Sequence, residues 1–154
     1  MEKLHLNELV SGVVSANEIL AKDSGVDIQV SDFDETYVYA DEFFTEQVLT
    51  NYLTNAIHYA KDDKVVSIKT VQNDGLVRVS VFNTGDPIPD EAIEHIWEKF
   101  YKVDPARTRE YGGSGIGLSV VKAVMDSFGQ KCGVINYENG VEFWFELEIF
   151  DENT

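Results

Sequence analysis

The sequence of 154 residues has one cysteine, three prolines and few cations, and these shortages limit what the protein can be. The single cysteine, Cys132, excludes an internal disulfide and a thiolate-rich zinc site, and is typical of a reducing compartment. Only 12 Lys and Arg residues stand against 28 Asp and Glu, so the formal net charge is −16. Such a surface repels nucleic-acid phosphates and anionic lipid head groups, so we expect no nucleic-acid partner and no membrane-surface role.

The chain also lacks a hydrophobic run of membrane-spanning length, a signal-peptide layout, internal repeats and a low-complexity linker. Its hydrophobic content of 44% and aromatic content of 12% are typical of a globular protein. We therefore expect a single domain over residues 1–154, cytoplasmic in character, without a membrane segment.

Hydrophobic spacing predicts helices and strand pairs in a mixed order. Helices are expected over residues 6–22, 42–60 and 114–128, the first two capped by Asn7 and Asp41, with a short helix capped by Asp90 and ending at Lys99. Strands are expected over 26–30, 37–39, 65–71, 76–82, 132–137 and 141–150, with hairpin turns at 73–75 and 138–140. This order predicts an α+β fold: a two-layer α/β sandwich with one mixed sheet and helices on one face. Residues 102–113 have no apolar period, which predicts a mobile segment.

A glycine-rich run precedes the third long helix, and four of the six residues 112–117 are glycine. Bare backbone at the start of a helix presents unpaired N–H groups and the positive end of the helix dipole, which suits a phosphate. The run fits neither the dinucleotide-binding nor the P-loop pattern. Taken alone, it is equally consistent with a flexible surface loop.

Other polar residues are weak signals one at a time. Asn51 and Asn55 lie four apart on one side of the second helix, where amide groups could meet Mg²⁺ or a phosphate, or simply form a solvated helix edge. His58 and Tyr59 follow them on the same helix. Asn83 and Gly85 end a strand at a turn open to close approach, or at an ordinary hairpin end. Cations in a very acidic chain gather on the segment before the glycine run, where they could close over a triphosphate: Lys102, Arg107 and Arg109.

The order of these features is more specific than any one of them. In order they are Asn51-x-x-x-Asn55-Ala56, Asn83-x-Gly85-x-x-Ile88, Trp97-x-x-Phe100-Tyr101-Lys102 and Gly113-x-Gly115-x-Gly117-Leu118. The series closely resembles the N, G1, F and G2 boxes of the ATP-binding catalytic domain of bacterial sensor histidine kinases, in the GHKL superfamily. The resemblance covers nearly the whole chain.

The resemblance implies the Bergerat fold, with ATP and Mg²⁺ as cofactors. By similarity, Asn55 would coordinate Mg²⁺, Asn51 would lie beside the reacting phosphate, and Tyr59 would stack on adenine. His58 replaces a usual Lys or Arg at a phosphate contact. Asn83 replaces the usual Asp that accepts from the adenine amino group.

The remaining implied contacts lie in the G1 turn, the lid and the glycine run. Residues 102–113 would form an ATP lid, with Trp97 and Phe100 anchoring it in the core. The residues implied to contact nucleotide in these segments are Gly85, Ile88, Lys102, Arg107, Arg109, Gly113, Ser114, Gly115, Ile116, Gly117 and Leu118.

The resemblance also implies partners. His5, His58 and His95 lie in no acceptor motif, so we expect a monomeric catalytic part that cannot autophosphorylate alone. It would supply the γ-phosphoryl group to a histidine on a separate dimerisation hairpin of the same parent kinase, and act indirectly on a response regulator. The parent would be anchored in the bacterial inner membrane. Two alternatives stay open: a free-standing serine kinase of the anti-sigma type, and a nucleotide-binding module without transferase activity.

Overall fold

The computed structural model describes residues 1–99 and 117–151. None of the described helices is both long enough and apolar enough to cross a membrane. In chain order the helices and strands are β1 (Glu2–His5), α1 (Leu6–Ala16), α2 (Glu18–Asp23), β2 (Asp27–Val30), β3 (Tyr37–Ala40), α3 (Glu42–Tyr59), β4 (Val65–Asn73), β5 (Leu76–Thr84), α4 (Asp90–Ile93), α5 (Gly117–Phe128), β6 (Cys132–Tyr137) and β7 (Gly140–Ile149).

The strands of the described chain form one seven-stranded mixed sheet. Strand β7 lies inside the sheet and pairs with β5 along one edge. Along its other edge, β7 pairs with β6 near its start and with β3 near its end. Beyond β5 lie β4 and β2, and the β2–β4 pair is parallel. The β4–β5 hairpin turns at Asp74 and Gly75, whose φ angles of 52° and 80° are those of a type I′ turn. Both hairpins predicted from the sequence are confirmed.

Buried and more exposed residues alternate along β5 and β7, so the sheet has one buried face, which the helices cover. The ring of Tyr52 from α3 packs 5.3 Å from Phe143 and 5.9 Å from Phe145, measured between ring centroids. Burying a side chain of this size stabilises the fold by about 1.5–3 kcal/mol. On the other face, the guanidinium of Arg78 lies over the ring of Trp144 and its nitrogen is 3.1 Å from the carboxylate of Glu146. The α+β fold with helices on one face of a mixed sheet is as predicted.

The N-terminal region differs from the prediction of one helix over 6–22 capped by Asn7. The chain begins with a strand that the sequence did not predict, and two helices follow it, broken at Asn17. The side chain of Asn17 donates to the carbonyl of Val13 at 2.8 Å, which competes with helix continuation. Asn7 is not the cap, because its side chain holds the loop before β3: its oxygen accepts from Thr36 N–H at 2.8 Å and its NH₂ donates to Phe33 O at 3.2 Å.

Two further predictions are corrected near helix starts. Asp41 does cap α3, accepting from the N–H of Phe44 at 2.9 Å. The apolar spacing along this helix predicts that Phe44 lies on its buried side, but the Phe44 side chain is 44% exposed. It lies in the first turn, before the helix reaches the sheet, and Thr45 is buried instead. Asp90 is not a cap but the first residue of α4, which follows Pro89 and ends at Ile93 rather than Lys99.

Candidate functional site

The helix with the paired asparagines meets the end of the glycine run. The side-chain NH₂ of Asn51 donates to the carbonyl of Gly117 at 3.3 Å. A Cβ on residue 117 would lie 3.7 Å from Oδ1 of Asn51, so the two segments are in van der Waals contact. Two pieces of chain separated by 66 residues therefore come together, as the sequence order of the motifs predicts.

The paired asparagines lie half-buried along the edge of α3, while the neighbouring Tyr52, Leu53 and Ala56 are buried. Residues four apart on a helix project from the same side, so Asn51 and Asn55 present their amides next to each other. Both groups are neutral, and each offers an oxygen acceptor and an NH₂ donor. A half-buried pair of amides can meet a cation through its oxygens and an anion through its NH₂ groups.

Tyr52 fixes the orientation of this helix edge. Its hydroxyl donates to the carbonyl of Trp144 at 3.0 Å, which joins α3 to β7. Burial raises the pKa of Tyr52, and burial likewise raises the pKa of the Cys132 thiol. Both groups are therefore protonated at neutral pH, and Cys132 is a small residue packed partly buried against the core rather than a nucleophile.

The end of β5 lies against the end of α3. Gly85 has φ +142°, and a Cβ there would lie 2.9 Å from the carbonyl oxygen of Tyr59. The N–H of Lys61 donates to Thr84 O at 2.9 Å, and the Thr84 hydroxyl donates to Lys61 O at 2.9 Å. Only a residue without a side chain tolerates both this φ and this close approach. The structure thus brings Gly85 beside Tyr59. The resemblance implies that both residues contact the nucleotide.

Asn83 precedes this turn on the buried face of the sheet. It is 3% exposed, and its NH₂ donates to the carbonyl of Thr84 at 3.1 Å. Gly140, which is opposite the neighbouring Thr84 in the register, packs against the carbonyl of Asn83 so closely that no Cβ fits. The Asn83 side chain is therefore buried, where an amide is tolerated only when it is hydrogen-bonded.

Ile88 and Trp97 connect the turn to the core. The side chain of Ile88 is partly buried against the core. Trp97 packs edge-on against Phe143 with ring centroids 6.0 Å apart, as predicted for an anchor before the lid. Its predicted companion Phe100 lies outside the described residues.

Several other predicted residues also lie outside the described residues. They are the lid over 102–113 with Lys102, Arg107 and Arg109, and most of the glycine run, namely Gly113, Ser114, Gly115 and Ile116. Gly117 and Leu118 begin α5 where the description resumes, and Leu118 packs partly buried against the core.

Sequence reasoning missed one residue at the turn, Asn136 of β6. Its side-chain oxygen accepts from the N–H of Ile88 at 3.0 Å and its NH₂ donates to the carbonyl of Ile88 at 2.8 Å. A signal was present, because Asn is disfavoured in strands and needs a partner to occupy one. The partner lies 48 residues away, so local sequence could not identify it.

Known proteins share this architecture and sequence. The family model described as histidine kinase-, DNA gyrase B-, and HSP90-like ATPase matches residues 40–150. Sensor histidine kinase CusS of Escherichia coli O157:H7 is 35% identical over 140 residues, which are 91% of this chain and 29% of CusS. Sensor histidine kinase YkoH of Bacillus subtilis (strain 168) is 38% identical over 104 residues, which are 68% of this chain and 22% of YkoH. The chain thus spans less than a third of the length of these curated relatives.

Solved structures agree with the sequence matches. The catalytic domain of histidine kinase ThkA, in a nucleotide-free form, matches with a TM-score of 0.84 and 34% identity, over 96% of each chain. ThkA in complex with response regulator protein TrrA matches with a TM-score of 0.80 and 32% identity, over 99% of this chain and 43% of that one. The chain therefore belongs to the family of histidine kinase-, DNA gyrase B- and HSP90-like ATPases, as an ATP-binding domain of the sensor histidine kinase type.

Proposed function

We propose that residues 1–154 act as one catalytic domain that binds Mg-ATP and supplies the γ-phosphoryl group to a histidine on a separate dimerisation hairpin of its parent sensor kinase. The observation that carries the proposal is the contact between Asn51 and Gly117. It puts the amide-bearing edge of α3 and the helix start after the glycine run on one side of the molecule. Phosphoryl transfer depends mainly on positioning and on neutralising charge, and this arrangement supplies amide groups for the positioning.

Magnesium is proposed to bind as the nucleotide complex rather than to the protein alone. The described residues contain no group of three or more His, Cys, Asp or Glu that could hold a metal ion. A neutral amide oxygen at Asn55 fits a hard cation that keeps water and phosphate as its other ligands. Asn55 would therefore hold Mg²⁺ that also contacts the triphosphate.

Asn51 is proposed to lie beside the reacting phosphate. An amide cannot accept a proton at neutral pH, so it cannot activate water as a general base. The γ-phosphoryl group then persists until a protein acceptor arrives. This property suits a kinase rather than an ATP hydrolase.

The base end of the nucleotide is proposed to lie at the turn after β5. Asn83 would accept from the adenine amino group, Tyr59 would stack on the base, and Gly85 and Ile88 would line the turn beside it. The close packing of Gly85 on the carbonyl of Tyr59 supports this grouping. His58, one turn beyond Asn55, would contact phosphate.

The phosphate end is proposed to lie under the lid. Lys102, Arg107 and Arg109 would contact the triphosphate from the segment 102–113, and the backbone amides of Gly113, Ser114, Gly115, Ile116 and Gly117 would cradle it, with Leu118 starting the helix behind them. Support comes from the position of Gly117 next to Asn51. Anion binding by amides at a helix start has a general physical basis.

Within the parent, the acceptor hairpin would be the direct partner and a response regulator the indirect one, with the parent anchored in the bacterial cell membrane. The complex of ThkA with TrrA supports the second partner by analogy.

The test is phosphoryl transfer from γ-labelled ATP to the parent's acceptor hairpin, supplied as a separate polypeptide. We expect label on the hairpin histidine only when this chain and Mg²⁺ are both present. We also expect calorimetry to show tighter ADP and ATP binding with Mg²⁺ than with a chelator. Label on serine of a small partner domain would favour the serine-kinase alternative, and nucleotide binding without transfer would leave a binding module.

A further inference from the structure

Asn136 occupies an unusual position relative to the turn after β5. It lies in the sheet register opposite Val141, and Val141 lies opposite Asn83 on the other side. The three residues therefore form one row across β6, β7 and β5, all on the face that carries the helices. Directly opposed residues in antiparallel strands are about 4.5–5.5 Å apart, so Asn136 is about two strands from Asn83.

The side chain of Asn136 pairs with the backbone of Ile88 as a strand would. Both polar groups of the Ile88 backbone are used in solvent-exposed hydrogen bonds, the N–H at 3.0 Å and the carbonyl at 2.8 Å. At the other end of the turn, the N–H of Gly85 donates to the carbonyl of Asn139 at 3.0 Å. The turn from Gly85 to Ile88 is thus attached to the β6–β7 hairpin at both of its ends.

The other contacts of the turn leave the polar backbone groups of Ile88 to Asn136. Pro87 has no N–H to donate, and the ion pair between Lys61 and Asp86 is solvent-exposed on both sides, so it contributes little. Removing the Asn136 amide would return the backbone of Ile88 to water and let the turn sample other conformations. A loop that must be ordered on binding lowers affinity by the free energy of ordering.

We infer that Asn136 is a positioning residue for adenine-nucleotide binding, because it clamps the backbone of Ile88 and so pre-forms the turn that follows Asn83. This inference rests on the proposed placement of the base end at that turn. The β6–β7 hairpin carries none of the four sequence motifs. Through Asn136 and the backbone of Ile88, this hairpin would nevertheless contribute to nucleotide affinity.

The test uses the whole chain with Asn136→Ala and Asn136→Asp. The first removes both hydrogen bonds, and the second keeps the accepting oxygen but replaces the donor by a carboxylate oxygen facing the Ile88 carbonyl. Matched controls are Asn73→Ala and Asn73→Asp, at the exposed end of β4 in the other hairpin. The readouts are the Kd for Mg-ADP and for adenosine by calorimetry at 25 °C, near-UV circular dichroism, and hydrogen exchange of the Ile88 amide in nucleotide-free chain.

We expect both Asn136 variants to stay folded, to exchange the Ile88 amide faster, and to bind Mg-ADP and adenosine roughly tenfold more weakly, with both controls unchanged. The Kd for Mg-ADP and the Kd for adenosine should rise by the same factor, because Asn136 acts at the base end of the nucleotide and not on the phosphates. Faster exchange with unchanged Kd would make Asn136 merely structural and overturn the inference, as would unchanged exchange. Failure of the unsubstituted chain to bind Mg-ADP would instead overturn the proposed function itself, and the positioning role with it.

Discussion

At the scale of single residues, the site is distinguished by its neutral amides. Asn51, Asn55 and Asn83 are uncharged, although the chain contains 28 Asp and Glu residues. An amide binds Mg²⁺ through oxygen without adding negative charge beside a triphosphate, and it also donates to phosphate oxygen. A negative charge at Asn51 or Asn55 should therefore be poorly tolerated.

The variant Asn55→Asp tests this directly. The substitution keeps the side-chain shape, removes the NH₂ donor and places a negative charge beside the proposed triphosphate. We expect Mg-ATP affinity to fall at least tenfold, about 1.4 kcal/mol, and phosphotransfer to fall with it, measured by calorimetry and by labelling of the acceptor hairpin. The control is Asn73→Asp, the same charge change at an exposed hairpin end, and an unaffected Asn55→Asp would remove Asn55 from the metal role.

His58→Lys should act in the opposite direction. A lysine carries a full positive charge at neutral pH, whereas an ordinary histidine is mostly neutral there. With a phosphate nearby, we expect ATP affinity at pH 8 to rise a few-fold and adenosine affinity to stay the same. Equal changes for ATP and adenosine would mean that His58 does not face the phosphates.

Gly85→Ala and Gly12→Ala form a pair with opposite expected signs. Position 85 combines φ +142° with a Cβ placed 2.9 Å from Tyr59 O, whereas Gly12 lies in α1 with nothing within 4 Å of an added Cβ. We expect Gly85→Ala to lower the free energy of unfolding by about 1–3 kcal/mol, and Gly12→Ala to raise it by about 0.5–1 kcal/mol. Urea denaturation measures both, and a stabilising Gly85→Ala would contradict the close packing of β5 on α3.

At the scale of elements, α3 is the platform of the site, because its buried side packs on the sheet and its edge carries the asparagines. Its start depends on the Asp41 cap, a hydrogen bond of 2.9 Å to the N–H of Phe44. Loss of such a cap costs about 1 kcal/mol. Asp41→Ala should lower the free energy of unfolding by that amount in urea denaturation, while Asp32→Ala in the exposed loop before β3 should leave it unchanged. Equal stability of both variants would refute the capping role.

The elements that sequence reasoning predicted correctly share strong local signals. The β4–β5 hairpin follows from Asp74-Gly75, whose positive φ values few other pairs adopt. Helix α3 follows from Asp41 and a long apolar stripe. The errors occur where tertiary contacts override such signals, as at Asn7, which bonds a loop instead of capping, and at Asn17, which breaks a helix whose apolar stripe continues.

The candidate site, like the fold, could be predicted from the sequence only in part. The Asn51 and Gly117 segments could be paired because the order of the motifs resembles that of the catalytic domain of sensor histidine kinases. The clamp of Asn136 on Ile88 could not, because its partners are joined only by the register of β6 on β7 and the position of the turn beside it. A side chain that acts on a distant backbone leaves no spacing pattern in the sequence.

At the scale of the whole molecule, the net charge of −16 makes nucleotide binding depend on nearby positive charge. Such a field opposes the approach of a polyanion, and only local cations and Mg²⁺ offset it. The contact between α3 and α5 therefore matters more for nucleotide binding than the charge of the surface as a whole. The central claim is that the amides of α3 and the backbone of the glycine run meet the same metal-bearing triphosphate.

The most direct test replaces Mg²⁺ with paramagnetic Mn²⁺, bound with a non-hydrolysable ATP analogue, and follows line broadening by NMR. The account predicts that the side-chain amides of Asn51 and Asn55 and the backbone amides of residues 113–117 broaden together, while Asn73 on the distant hairpin stays sharp. Broadening of one group without the other, or of acidic residues on the opposite face of the sheet such as Glu142 and Glu146, would contradict it.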